Sequence, residues 1–195
     1  MRRLKVIEHI SLDGVIQHSV DESFPYGGWF APYMTPEGGA AVLEAQGERF
    51  DLILGRRTHD EWSTAWGQAP RGPMADRLHA ATKHVVTHRP DDLAWRPAVA
   101  LGPDLVADVR RLQAQDGPDL VVWGSSTLTS VLLEHGLVDE LVLVTYPVLL
   151  GAGRRLFADG APAQALDVVS TTSTPSGVTV TRYRVRGPVP TTPAP

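Results

Sequence analysis

The chain has no cysteine, so disulfides and thiolate zinc sites are excluded and the fold must stand on packing alone. That suits a reducing compartment, and the expected location is the cytoplasm. A positive excess is missing too: 18 Lys and Arg face 22 Asp and Glu, for a formal net charge of -4 with both signs interspersed. No sustained field exists to capture a phosphodiester backbone, so nucleic acid is not an expected partner. Long apolar runs are also lacking. A bilayer helix needs roughly 18 to 20 apolar residues, and Pro147 and Gly151 interrupt the most hydrophobic region. Near the start, Glu8 and His9 break the apolar run before a signal-peptide core could form. No membrane span is expected.

Several chemical signatures are absent as well. There is no G-x-G-x-x-G fingerprint, no P-loop and no nucleophile elbow. The seven histidines have no metal-ligand spacing, so no metal is expected. No segment repeats at a fixed period.

What is present reads as one α/β domain. The 195 residues are 43% hydrophobic and 21% charged, ordinary values for a globular chain of single-domain size. Short aliphatic and β-branched runs predict strands at Leu4 to Ile10, Asp51 to Gly55, His84 to Thr87, Ala98 to Leu101 and Leu120 to Trp123. Helical spacing lies between them, at Ala40 to Phe50, after Gly55 to Ala65, at Met74 to Lys83, from Pro103 through Leu112, and at Ser126 to His135. Ser19 to Gly39, rich in Pro, Gly and aromatics, reads as irregular chain forming one pocket wall. The later runs Leu141 to Thr145, Leu166 to Ser170 and Val178 to Val185 lack intervening helices, and the last alternates like an antiparallel edge or meander strand. The expectation is a three-layer αβα domain over residues 1–186, with a mostly parallel sheet and an antiparallel C-terminal flank. Residues 187–195 read as a frayed Pro/Thr-rich tail. The pair Asp139-Glu140 reads as a solvated turn.

Three strand-to-helix turns carry the chemistry. They are Gly55-Arg56-Arg57-Thr58, Thr87-His88-Arg89 and Gly124-Ser125-Ser126-Thr127. Such turns offer unpaired backbone N–H groups, the positive end of a helix dipole and, at Gly, close approach for a phosphate. Arginine adds a planar donor fork. In open α/β sheets ligands bind at the carboxyl ends of strands, so the three turns together describe a polyphosphate cradle.

The order S-L-D-G-V-I at 11–16, G-R-R-T at 55–58, T-H-R-P at 87–90 and W-G-S-S-T-L at 123–128 resembles the dihydrofolate-reductase-like superfamily. G-L-V-D-E-L at 136–141 and P-V-L-L-G-A-G-R-R-L-F at 147–157 look like its branch of riboflavin-biosynthesis deaminase-reductases. The resemblance runs to about Val185. It implies NADPH as cofactor, a small heterocyclic substrate and a homodimer. By this carry-over Arg56 and Arg57 would grip the 2′-phosphate, with Gly55 and Thr58 beside the pyrophosphate. Thr87, His88 and Arg89 would flank the adenosine. Gly124, Ser125, Ser126, Thr127 and Leu128 would cradle the pyrophosphate and nicotinamide ribose, and Asp13, Gly14 and Ile16 would form the loop over the nicotinamide. Ile7 stands where that branch carries a lysine and Trp123 where it carries a glutamate, so these two are expected at the substrate. His9 is the candidate catalytic residue, since histidine titrates near neutrality. Glu37 lies near the place of the folate-type carboxylate without matching it. The alternative is a non-catalytic NADPH- or small-ligand-binding module on the same fold.

Overall fold

A computed structural model describes residues 1–20, 24–157, 161 and 163–190. Eight strands form one sheet in the order β4-β3-β2-β5-β1-β6-β8-β7. They are β1 (Leu4–Ser11), β2 (Phe50–Gly55), β3 (Lys83–Val86), β4 (Ala98–Leu101), β5 (Asp119–Trp123), β6 (Glu140–Tyr146), β7 (Gln164–Ser173) and β8 (Thr179–Pro188). The first six are mutually parallel, while β8 runs antiparallel to both β6 and β7. The expected α/β class and antiparallel flank are therefore present. β8 is a meander strand inside the flank, and β7 takes the outer edge.

Helices cover both faces because the strands alternate two apolar sides. They are α1 (Pro36–Gln46), α2 (Arg56–Gln68), α3 (Pro73–Ala80), α4 (Leu105–Ala114) and α5 (Ser126–Glu134). On one face Ile7, Leu52, Leu54, Val121 and Trp123 pack with Val42 and Ala45 of α1 and Leu78 of α3. On the other, Val6, Ile53, Leu120 and Val122 pack with Val109 and Leu112 of α4 and Leu128 and Leu132 of α5.

The local departures have local causes. α1 begins at Pro36 rather than Ala40, because the Thr35 side chain accepts the Gly38 N–H and Pro36 supplies a preset first turn. It ends at Gly47, before the strand that begins at Phe50. α2 starts directly at Arg56 and runs to Gln68, three residues beyond the expected Ala65. Asp104 rather than Pro103 opens α4, its carboxylate accepting the Ala107 N–H at 2.9 Å. The supposed frayed tail is partly ordered, since Gly187 pairs with Ala165 and Pro188 with Gln164. Residues 191–195 lie outside the described residues. Asp139 and Glu140 do not form a solvated turn: Asp139 accepts the Leu4 N–H at 2.8 Å and the buried Glu140 pairs with Arg182 at 3.0 Å.

Candidate active site

Parallel pairing brings the ends of β3, β2, β5, β1 and β6 to one rim. β1 and β5 are neighbours, yet β1 leads to α1 on one face and β5 leads to α5 on the other. A crevice forms where adjacent strands send their connections to opposite faces. A cavity of about 840 Å³ opens there, within the size range of small-ligand sites.

One end of the cavity is built from two helix starts. Gly55, Arg56, Arg57 and Thr58 of α2 meet Gly124, Ser125 and Thr127 beside α5. α2 has no side-chain cap, which leaves first-turn N–H groups for a ligand. The α5 start is capped by Ser125, whose hydroxyl accepts the Leu128 N–H at 3.4 Å. Gly124 has φ +70°, and Ser125 follows with φ 70° and ψ 83°. Among the described residues Ser125 is the single non-glycine with positive φ. That conformation costs on the order of 1–3 kcal/mol and persists where the surroundings hold it.

The arginines are already engaged. Arg56 Nε donates to both Asp60 carboxylate oxygens at 2.8–2.9 Å, Nη1 to the Arg89 carbonyl at 3.0 Å and Nη2 to Asp92 at 2.8 Å. Asp92 is largely exposed, so an incoming phosphate could replace it on the guanidinium while Asp60 keeps the fork in place. Arg57 pairs with Glu61 at 2.8 Å and donates to the Ser19 hydroxyl at 3.0 Å. Thr87 accepts the Arg89 N–H at 3.0 Å. The Thr87–Arg89 turn thus abuts Arg56 at the rim, outside the cavity wall, and no helix follows it.

The other end is aromatic. The His9 ring stacks with Trp123 at 5.6 Å and Phe30 at 5.3 Å between centroids. Tyr146, Tyr33, Trp62 and Trp66 complete the wall. His9 Nδ1 lies 2.7 Å from the Tyr146 hydroxyl. Burial pushes the Tyr146 pKa up to about 12, so the phenol keeps its proton. Burial, helped by His18, pushes His9 down to about 3. His9 is therefore neutral at physiological pH, with one ring nitrogen a donor and the other an acceptor. Titration near neutrality, the reason for choosing His9 from sequence, does not hold here. Within the wall Glu8 Oε1, His18 Nε2 and Trp123 Nε1 are buried without hydrogen-bond partners.

Other expected residues stand elsewhere. Ile7 is fully buried in the core and does not line the cavity. Asp13 is a turn lock: it accepts from Ser11 at 2.6 Å and from the amides of Leu150 and Gly151 at 3.2 and 2.9 Å. Burial is the largest single influence and raises the pKa, but these bonds together outweigh it and hold the carboxyl at about 2. Gly14 provides the positive φ of that turn, and Ile16 alone of the three reaches the cavity. Ser126 and Leu128 are buried behind the cradle, with Leu128 in the second core. Glu37 does not line the cavity. Sequence reasoning passed over Glu8 and His18, both in the wall. The signal for Glu8 was the one acidic residue of a buried strand.

Comparison with known proteins agrees with this geometry. The model of the RibD C-terminal domain family matches residues 4–180. The chain is 28% identical over 144 residues to the uncharacterized protein YyaP of Bacillus subtilis, covering 70% of this chain and 74% of that one. It is 26% identical over 106 residues to YwjB of the same organism, covering 54% and 57%. A putative riboflavin biosynthesis protein from Shewanella superimposes with a TM-score of 0.71 at 20% identity, covering 94% of this chain and 99% of that one. A pyrimidine reductase-like protein from Corynebacterium diphtheriae gives 0.60 at 15%, covering 94% and 92%. Dihydrofolate reductase from Enterococcus faecalis, complexed with NADP(H) and RAB-propyl, gives 0.58 at 16%, covering 94% and 96%. These superpositions establish the dihydrofolate-reductase-like fold.

Proposed function

Because this chain belongs to the RibD C-terminal domain family, we propose that it is an NADPH-dependent reductase of a small, flat heterocycle. One observation carries the reading. A chamber walled by stacked aromatic rings opens directly beside two helix N-termini at the carboxyl ends of β2 and β5. Phosphates suit the helix starts, and a planar ring suits the aromatic end. The residues fit the cofactor: open first-turn amides, the Gly124 turn, and Arg56 and Arg57 at the mouth for the 2′-phosphate. When bound, NADPH would supply a hydride.

The chain's own part is placement. His9 and Trp123 would hold the acceptor ring flat, Nε2–H of His9 would donate a hydrogen bond to it, and the aromatic wall would keep water from between donor and acceptor. The Tyr146–His9 hydrogen bond orients the imidazole for that task. The reading includes a cytoplasmic location and a homodimer. Its seam would be the outer strand β7, where Leu166, Val168 and Val169 stay exposed.

Titrating NADPH against tryptophan fluorescence, then adding pterins, dihydrofolate and pyrimidine precursors while following NADPH absorbance, tests the proposal. Quenching followed by substrate-dependent loss of absorbance is expected. Tight binding with no oxidation across the panel would favour the ligand-binding module instead.

A further inference from the structure

The cavity floor holds an acid that placement and hydride transfer leave without a task. Glu8 is 2% exposed, its Oε1 has no hydrogen-bond partner, and it belongs to the cavity wall. A Cβ built on Gly124 would stand 3.9 Å from Oε1 and 3.6 Å from Thr58 Oγ1. The carboxyl therefore lies under the turn where the starts of α2 and α5 converge, the place that suits a ligand's phosphates. An ionised carboxylate there would repel them.

The charged and titratable groups sharing the cavity are few. Among the described residues they are His9 on the same strand, His18, Tyr33 and Arg154 from the segments between strands, Arg56, Arg57 and Glu61 from α2, and Tyr146 from β6. β5 and α5 contribute only Trp123, Gly124 and hydroxyl side chains. Burial pushes Glu8 up to about 8, opposed only by the Gly124 amide, and no cation offsets it.

We propose that Glu8 is carried as a neutral carboxylic acid, and that this neutrality admits a phosphate-bearing ligand to the Gly124–Thr127 turn, where the acid offers its O–H to a ligand oxygen. Ligand binding and the Glu8 proton are then linked, and Glu8 acts as a positioning and specificity residue. The inference rests on the cofactor reading given above. Its sign is definite: the ligand prefers the protonated protein, so affinity is flat below the Glu8 pKa and falls by up to about tenfold per pH unit above it.

Calorimetry with NADPH and with ADP-ribose, from neutral pH to about pH 9.5 in two buffers of different ionisation heat, reads this linkage. Wild-type protein should take up close to one proton per ligand at the alkaline end, and its affinity should fall there. Glu8→Gln keeps the shape and a donor without the charge. It should take up one proton fewer per ligand at the alkaline end and lose the alkaline fall in affinity. A proton uptake and pH profile identical in both proteins would overturn the linkage while leaving the cofactor reading intact. Failure of both ligands to bind wild-type protein would overturn the two together. Should E8Q not fold, carbon-13 carboxyl titration of the wild type decides: one glutamate should titrate near pH 8 and move higher with ADP-ribose, and its absence overturns the proposal.

Discussion

The two ends of the parallel sheet are built on opposite principles. At the amino ends of the strands, charges are matched. Arg2, almost completely buried, pairs with Asp51 and donates to the Pro118 carbonyl at 2.6 Å. Asp51 also accepts the Thr82 N–H at 3.2 Å and has His84 at 3.6 Å, while Arg3 pairs with Asp119 and Asp139 accepts the Leu4 N–H. At the carboxyl ends, Glu8, Trp123 and His18 keep buried atoms without partners, and Ser125 holds a strained backbone. His84 at the amino ends also keeps both ring nitrogens without partners, but only at the carboxyl ends do such atoms line a cavity that could hold something that is not protein. Sites are commonly assembled from such locally unfavourable arrangements, which the rest of the fold must sustain.

The contrast breaks most visibly at Asp51. Asp51→Ala leaves the Arg2 guanidinium buried without its partner and should destabilise the protein by about 3 kcal/mol, measured by urea unfolding, while NADPH affinity stays unchanged. A loss of binding as large as the loss of stability would mean that the two ends are not independent. The pH dependence sharpens the same point. Burial pulls the Asp51 carboxyl upward, but His84 and Arg2 outweigh it and hold the carboxyl below its ordinary value. Its contribution is therefore present above the unfolded-state pKa near 4 and lost as pH falls through the lower folded value. The stability gap between wild type and variant should narrow only in that acid range.

At the opposite end the expected effects are on binding. Arg56→Ala should weaken NADPH roughly tenfold and NADH much less, since a 2′-phosphate engages the fork by charge-assisted hydrogen bonds. Equal weakening of both cofactors in a fluorescence titration would place the guanidinium away from the 2′-phosphate. A smaller effect is expected at Ser125. Ser125→Gly releases the left-handed strain and loses little as a helix cap, so thermal unfolding should show a gain of up to about 1 kcal/mol. NADPH affinity should fall as the turn loosens. A variant both less stable and unchanged in binding would show that the strain is not tied to the ligand. The smallest change is Val168→Lys on β7, which should shift sedimentation from dimer to monomer without altering stability, because an edge lysine blocks strand pairing between copies.

Much of the fold was legible because strand and helix periods are local. Each of the eight strands overlaps its expected run, and each of the five α-helices overlaps its expected interval. The misplaced start of α1 shows the limit: Thr35 and Pro36 are cap and first-turn signals, but two glycines and an aromatic-rich neighbourhood masked them. The cradle was legible for the same reason. Gly55–Thr58 and Gly124–Thr127 are contiguous segments, and parallel pairing brings the two together at Gly55 and Ser125, 3.5 Å from a built Cβ. Ile7 and Asp13 failed to reach the cavity because Ile7 lies two residues deeper along β1 than His9 on the same face, inside the core, and the 147–156 segment claimed Asp13.

The amino-acid sequence by itself determined the alternation of strands and helices, the turns able to hold phosphates, and the absence of thiol chemistry, since each depends on residues near one another in the chain. Only the tertiary structure decided that His9 is neutral and held by Tyr146, that Glu8 keeps its proton, and that Arg56 is shared among Asp60, Arg89 and Asp92. Those states depend on burial and on partners distant in sequence, and no local pattern encodes how far a charge will be removed from water.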